Sequence, residues 1–442
     1  NRAVESYYSF LLYGQKEDCI KRLLLLDEVV YGIESSNISH GLSPQTSAGY
    51  PEVMAVDNVK KRLFPESGDL PKDHPQIKKA LFDLQEQVTI MTDKYIAGVR
   101  PLVVFVDNLK DERKKMDKVK AGKTRMFSGS AIVYLCVFKQ YFGAFVLWFR
   151  ENRIINGSAV GVNPFSEEWN HIVELLTRYD VSGSSAVGAG DYAKFDGSEK
   201  PTIHLAILAI INRWYGDSLQ NQRVRSMLWY EVINSKHLLD GVLYEWCSSL
   251  PSGHPATTEI NSMYNQIVFR MTFYMTYWEL EFDDEVYLVT FGDDNAFTVS
   301  LKCRGHFNEL TIPDKMKQLG LVYTTEFKGA AISPFRNIED IEFLKRGFAF
   351  VPYLNRWVAP LRLEVVLEIP CWTKKQDSDN IAISNVFDAL SQLSLHPKAI
   401  FEDWAPKILE NMLIQYPNMD HKSVNTEYYA LQRKLLSSAW FF

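Results

Sequence analysis

The chain has 442 residues, 46% hydrophobic and 23% charged, with a net charge of −6. This composition excludes a disordered chain and leaves room for one large domain or two to three subdomains. The five cysteines (Cys19, Cys136, Cys247, Cys303 and Cys371) are scattered, odd in number and never in a CxxC pair. That argues against a zinc knuckle or a disulfide framework and for a reducing compartment. The start, Asn1 to Glu5, shows no signal peptide and no initiator Met, as expected of a cleavage product or a trimmed chain.

In chain order, a helical pattern runs through residues 1–30, with Leu23 to Leu26 and Val29 and Val30 on apolar positions. A loop rich in Gly, Ser, Pro and Asn follows from Ser36 to Pro51. Residues 75–98 read as helix, and Val103 to Val106 as a short buried strand. The strand leads into a basic segment, Lys110 to Arg125, where eight Lys and Arg residues face three acids. The segment carries +5, which leaves −11 on the rest of the chain. A basic strip on an acidic body points to a confined polyanion site, with a solvated charged loop as the plain alternative. Gly122 and the flanking apolar runs fit a hairpin-like loop as well as a helix.

Residues 131–150 and 166–179 read as helices. Ala131 to Phe149 imitates a membrane span, but Lys139 and Gln140 interrupt its centre. A mid-span Lys is costly in a bilayer, so a buried core helix is expected. The small-residue stretch Gly183 to Gly190 runs into Asp191, and Val187 to Asp191 reads as a strand closely approached by backbone or ligand. A helix from about Lys200 to Trp214 follows, with Leu205, Leu208, Ile211 and Trp214 at helical spacing. The turn Leu250 to Pro255 opens another helix, reaching about Trp278. Glu285 to Thr290 and Asn295 to Ser300 alternate as strands around Phe291, Gly292, Asp293 and Asp294, which predicts a tight hairpin with both acids at an exposed tip. A helix near 313–319, a strand at Leu321 to Thr324 and a strand pair around Glu342 to Phe350 come next. Beyond Val351 the chain reads as mainly helical, punctuated by Pro352, Pro360 and Pro370. Helices alternate with strands without a regular βαβ period, which favours an α+β fold.

Two adjacent carboxylates repel each other unless a cation sits beside them. Asp191, at the end of its predicted strand, can face the tip, and three carboxylates suit two Mg²⁺ ions. Such ions, roughly 3.5–4 Å apart, activate an attacking hydroxyl and stabilise a leaving pyrophosphate. The plain alternatives are an Asp-rich turn for Asp293 and Asp294 and a helix cap or loop acid for Asp191. Ser252 and Gly253 open a helix whose backbone N–H groups form a platform for phosphate or sugar. On that helix Thr257 and Asn261 share a face and can bond a ribose or a carboxylate, or simply cap the helix and face solvent.

These segments, in this order, resemble the RNA-dependent RNA polymerases of picorna-like positive-strand RNA viruses. Asp191 with Asp196 resembles motif A; Ser252, Gly253, Thr257 and Asn261 resemble motif B; Gly292 to Asp294 resembles motif C. Lys328 lies where motif D has its Lys, Phe343 to Arg346 resembles motif E, and Lys110 to Arg125 resembles motif F. Leu42 to Pro51 resembles a fingers-loop signature, so the markers span Leu42 to Arg346, 305 of 442 residues.

The resemblance implies an α+β right hand: fingers at 1–180, palm at 181–204, a fingers insertion at 205–247, palm at 248–349 and a helical thumb at 350–442. It implies that Asp191, Asp293 and Asp294 hold two Mg²⁺ ions, with Mn²⁺ as a substitute, and that Asp293 is the stronger ligand. Asp196 and Asn261 would read the ribose 2′-hydroxyl, supported by Ser252, Gly253 and Thr257. Lys110, Lys123 and Arg125 would hold the triphosphate together with Lys114 or Arg113. The sequence leaves those two as alternatives, because motif F reads Lys-Asp-Glu-Arg-Lys. Lys328 would be the general acid for pyrophosphate, and Lys345 and Arg346 would grip the primer. Phe291 replaces the Tyr of picornaviruses; its ring is kept, and no change in metal binding is expected. The first signature lies nearer the start than in full-length members, which points to missing N-terminal fingers residues and, with the departures, to a dicistrovirus- or iflavirus-like source.

The implied partners are an RNA template and primer, nucleoside triphosphates and other viral replication proteins, and a genome-linked protein primer is plausible. The implied location is the host cytoplasm, in a replication complex tied to membranes through other proteins. Two other readings compete. A reverse transcriptase would usually carry a bulky aromatic gate where Asp196 stands. A non-catalytic RNA-binding scaffold would be expected to have lost one of the three acids.

Overall fold

A computed structural model describes residues 1–15, 19–36, 38–65, 70–181, 186–248, 250–372, 379–416 and 426–437. Asn37 of the early loop and Gly183 to Ser185 of the small-residue stretch lie outside these residues. The strands are β1 (Val104–Leu109), β2 (Met126–Gly129), β3 (Val187–Tyr192), β4 (Asn234–Leu239), β5 (Val242–Cys247), β6 (Val286–Phe291), β7 (Asp294–Val299), β8 (Tyr323–Thr325), β9 (Ala349–Val351) and β10 (Arg356–Val358). The chain divides into two compact units, one of residues 1–160, 192–274 and 318–322, the other of residues 161–191, 275–317 and 323–442.

The first unit carries a four-stranded sheet in the order β2-β1-β4-β5, with β1 and β4 parallel and the other pairs antiparallel. Around it stand the helices Pro75–Ile96, Ile132–Glu151, Pro201–Tyr215, Leu219–Ile233 and Thr257–Tyr274. Ile132–Glu151 is long and apolar enough to cross a bilayer, yet 67% of its most apolar window is buried inside the protein. Phe138, Phe142, Phe145 and Trp148 bury its apolar face, and the Lys139 ammonium reaches the Gly41 carbonyl at 3.4 Å. The core-helix expectation therefore holds, because the interrupting Lys has backbone acceptors to satisfy it.

The second unit carries the sheet β6-β7-β3-β8 and the small pair β9-β10. The helix Glu167–Leu176 packs on β6, β7 and β10. Trp169, fully buried, stacks on Phe348 with ring centroids 4.9 Å apart. The helices Leu363–Glu368, Asp379–Leu393, Lys398–Gln415 and Tyr428–Ser437 follow, and Val366, Leu390, Leu393, Phe401 and Leu431 share one apolar cluster.

Several expectations need correction. Leu23 to Leu25 are not helical; the early helices are Arg2–Leu12 and Leu26–Tyr31. The helix after Pro255 stops at Tyr274 rather than Trp278. The strand expected at Leu321 to Thr324 is β8, which starts at Tyr323. The pair expected at Glu342 to Phe350 forms later, as β9 and β10, and the earlier part keeps isolated bridges from Arg346 to Phe343 and to Leu361. The basic segment is both of the forms left open, since the short helix Met116–Lys120 lies in the loop that joins antiparallel β1 and β2. The strand shifts follow from short strands taking their bounds from their partners, not from their own propensity.

Candidate functional site

In the second unit the β6–β7 hairpin closes on the pair Phe291 and Asp294, which leaves Gly292 and Asp293 as a two-residue turn. Gly292 has φ +64°, in the left-handed region where a side chain would be strained. The tip is not exposed as expected: Gly292 is buried and both acids are half-buried. The Asn295 side-chain amide donates to the Asp293 carbonyl at 3.2 Å, and the Tyr323 hydroxyl donates to Asn295 Oδ1 at 2.7 Å. The sequence did not mark these two supports.

β3 runs antiparallel to β7 with Gly190 opposite Asn295, and the next step of that register brings Asp191 opposite Asp294. Gly190 is required here, because a Cβ would lie 2.0 Å from the Tyr323 hydroxyl oxygen. Gly190 is thus a packing demand of the Tyr323 ring, and Gly188 one of the Phe297 ring. Asp191 is buried, and its Oδ2 lies 3.0 Å from Lys328 Nζ. Lys328 is 77% exposed and sits at φ +63° on a tight turn whose Lys328 N–H donates to the Thr325 carbonyl at 2.8 Å.

Burial pushes the Asp294 carboxyl up to about 7, aided by the charges of Asp293 and Asp191 and opposed by Lys345 and Lys328. Lys345 shares a two-residue turn with Leu344, both at positive φ, between the mutual backbone bonds of Phe343 and Arg346. Arg346 turns inward: its Nη1 donates to the Ala359 carbonyl at 2.7 Å, and its guanidinium lies 5.0 Å over the Phe165 ring. Burial lowers it to about 10.

Among the described residues, no three His, Cys, Asp or Glu side chains are gathered tightly enough to hold an ion alone. Asp191, Asp293 and Asp294 form a more open set. That suits Mg²⁺, which keeps several waters and shares its coordination with substrate phosphates. The raised Asp294 carboxyl fits such an ion, because burial and the charges of Asp293 and Asp191 together disfavour its anion unless a cation sits beside it.

In the first unit, Asn261 Nδ2 donates to Asp196 Oδ1 at 2.7 Å. Burial raises the Asp196 carboxyl, while the Asn261 bond and the Arg125 charge pull it down. Asn261 Oδ1 is buried and has no hydrogen-bond partner among the described residues. Such an orphaned acceptor calls for a donor that the chain does not supply. Gly253 has φ +103°, and a Cβ there would lie 2.8 Å from the Ser128 carbonyl oxygen. The Ser252 carbonyl accepts from Ser128 N–H at 2.5 Å, and the Thr257 hydroxyl donates to the carbonyls of His254 (2.9 Å) and Pro251 (3.1 Å). Thr257 therefore fastens the Ser252–Gly253 loop to the helix start.

In the basic segment, Lys110 N–H donates to the Arg125 carbonyl at 2.8 Å. Glu112 takes Arg125 Nε at 2.9 Å and Lys114 Nζ at 2.8 Å. Arg125 and Lys114 hold its carboxyl well below the usual range. Glu112 thereby places Lys114 beside Arg125, whereas Arg113 and Lys123 are exposed. The second unit thus brings Asp191, Asp293, Asp294, Lys328 and Lys345 together, and the first unit brings together Asp196, Asn261 and Arg125.

Comparison with known proteins gives the family and the fold. The family described as viral RNA-dependent RNA polymerase matches residues 24–413. The replicase polyprotein of Drosophila C virus is 32% identical over 411 residues, covering 88% of this chain and 23% of the polyprotein. That of acute bee paralysis virus is 31% identical over 418 residues, covering 90% and 21%. The chain thus spans less than a quarter of these relatives' length. Among solved structures, a sicinivirus 3Dpol RNA-dependent RNA polymerase superposes with a TM-score of 0.78 at 20% identity, over 99% of this chain and 85% of that one. The fold is the α+β right-hand polymerase fold. The chain belongs to the viral RNA-dependent RNA polymerase family, similar to the replicases of dicistroviruses and other picorna-like viruses.

Proposed function

We propose that this chain joins ribonucleoside triphosphates on an RNA template to replicate a viral RNA genome. The observation that carries the reading is the acid group of β3 and the β6–β7 hairpin, where Asp191, Asp293 and Asp294 come together and burial, then the charges of Asp293 and Asp191, raise the Asp294 carboxyl. Asp191, Asp293 and Asp294 would hold Mg²⁺, or Mn²⁺ in its place. When bound, these ions supply Lewis-acid stabilisation of the attacking primer oxygen and of the charge on the leaving pyrophosphate.

The other roles fall to side chains. Asn261 Oδ1 accepts a hydrogen bond from the ribose 2′-hydroxyl, and Asp196 orients the Asn261 amide through their 2.7 Å bond. Deoxyribose has no hydroxyl to satisfy that acceptor, so the pair favours ribonucleotides. Ser252, Gly253 and Thr257 support this contact as one fastened loop. Arg125 and Lys114, with Lys110, Lys123 and Arg113 around them, bind the triphosphate by charge. Glu112 keeps Arg125 and Lys114 together until a phosphate replaces it. Lys328 holds a proton for the departing pyrophosphate. Lys345 meets the primer strand, and Arg346 supports that turn from inside.

In domain terms, residues 1–180 and 205–247 would be fingers, 181–204 and 248–349 palm, and 350–442 thumb. Partners would be template and primer RNA, a genome-linked protein primer and other replication proteins, which would tether the chain to membranes in the host cytoplasm. Primer extension on an RNA template with ribonucleotides and Mg²⁺ tests the reading. Extension that EDTA abolishes and that is lost in Asp293→Ala is expected. Full extension by Asp293→Ala, or none by the wild-type chain with Mg²⁺ or Mn²⁺, would overturn it.

A further inference from the structure

Arg336 belongs to none of the motifs named above, yet its guanidinium meets a crowded set of acceptors in the second unit. Its Nε donates to Glu309 Oε2 at 3.0 Å and its Nη2 to Glu309 Oε1 at 2.5 Å. Nη1 and Nη2 each donate to one oxygen of Glu326, both at 2.8 Å. Nη1 also reaches the Asp340 carbonyl at 3.3 Å, and Nη2 the Ala189 carbonyl at 3.4 Å. The side chains are 15%, 3% and 9% exposed for Arg336, Glu309 and Glu326.

These contacts converge on three segments. Glu309 Oε1 accepts the Ala189 N–H at 2.9 Å while Arg336 takes the Ala189 carbonyl and donates its own N–H to the Val187 carbonyl at 2.9 Å. The β3 backbone is therefore clamped on one edge, two residues before Asp191. Glu326 stands two residues before Lys328. Its Oε1 also accepts the N–H of Glu342, three residues before Lys345. One guanidinium thus ties together the chain segments that carry Asp191, Lys328 and Lys345.

Two carboxylates against one guanidinium, all nearly buried, is a costly way to gain stability, since apolar replacements of buried ion groups are often as stable or more so. What the cluster supplies is geometry. The planar fork fixes two carboxylates in directions that a flexible ammonium would not. We propose that Arg336, with Glu309 and Glu326, is a positioning hub that sets the spacing of Asp191, Lys328 and Lys345, and so the affinity of the acid group for divalent ions. The proposal rests on the polymerase reading for its consequence in synthesis.

The test uses Arg336→Lys, which keeps the charge and loses the fork, and Glu309→Gln, which loses one charge and keeps the shape. Mn²⁺ binding is followed by electron paramagnetic resonance without nucleotide, and the Mg²⁺ midpoint of primer extension is measured with active sites titrated. Both variants should weaken Mn²⁺ binding about five- to tenfold and raise the Mg²⁺ midpoint by the same factor. The KM for ribonucleotide should stay within about twofold. A merely structural role predicts a lower melting temperature or active fraction with both metal midpoints unchanged, and that result overturns the proposal. Should Arg336→Lys fail to fold, Glu309→Gln decides alone. A wild-type chain that binds no Mn²⁺ also overturns the proposal. A wild-type chain that binds Mn²⁺ but extends no primer defeats the polymerase reading, while the binding comparison still decides the hub.

Discussion

Asp107 and Asp294 are both buried or half-buried strand carboxylates, and their surroundings are opposite. Asp107, in the first unit, accepts from Ser128 Oγ at 2.6 Å, from His237 Nδ1 at 2.9 Å and from the Tyr244 hydroxyl. His237 Nε2 in turn lies 2.8 Å from Ser235 Oγ. Ser, His and Asp are thus arranged in series, but Ser235 is fully buried and no substrate can reach it. Asp294, in the second unit, is raised by burial and by the charges of Asp293 and Asp191 and eased by those of Lys345 and Lys328. The difference teaches how to tell a structural acid from a working one. A carboxylate whose lone pairs all meet donors holds the fold, and one left among like charges waits for a cation.

Paired substitutions can break this contrast. The largest effect is expected for Asp293→Ala, a loss of nucleotide incorporation of about a thousandfold or more, with melting temperature unchanged or raised because a like charge is gone. Asp107→Asn should do the reverse, lowering unfolding stability by about 1–3 kcal/mol while incorporation per folded molecule stays near wild type. Equal catalytic losses in the two variants would erase the distinction.

Within the second unit, Lys328→Ala should slow the chemical step about 10- to 100-fold in single-turnover measurements with nucleotide affinity little changed. A defect confined to affinity would contradict the proton-donor role. In the first unit, Asp196→Ala should shrink discrimination between ribo- and deoxyribonucleotides by about tenfold, read as a ratio of kcat/KM. Unchanged discrimination would remove the Asp196–Asn261 pair from the sugar.

A last effect is on pH. The Asp294 carboxyl sits at about 7 in the fold against an ordinary value of 3.8, so the folded chain binds the extra proton. Its contribution to stability is therefore present at low pH and falls as pH rises from about 4 to 7, by no more than about 4 kcal/mol. Asp294→Asn should flatten that part of the metal-free stability profile, and saturating Mg²⁺ should narrow the gap at pH 7. Parallel wild-type and variant profiles would place Asp294 outside the charge cluster.

Much of this was legible in the chain itself. The Phe291 to Asp294 hairpin, the strand into Asp191 and the long helices appear where periodicity and turn residues put them. The helix Leu219–Ile233 and the strands β4 and β5 were read only as an insertion, because their charged and polar residues blur the period. Glu112, Tyr323, Asn295, Glu309 and Arg336 carry no local signal at all. Each acts on a partner reached only through folding, as Arg336 does on Ala189.

By itself the sequence determined which residue types stand at the turns. Gly292 and Gly253 must take positive φ, and the acids follow at set spacings. These are demands of covalent geometry and local sterics, which act between near neighbours. Only the tertiary structure decided which acid is strained and which is satisfied. That depends on burial and on charges brought from distant segments, such as Asp191 beside Asp294 and His237 beside Asp107, and Coulomb energy follows distance in space rather than along the chain.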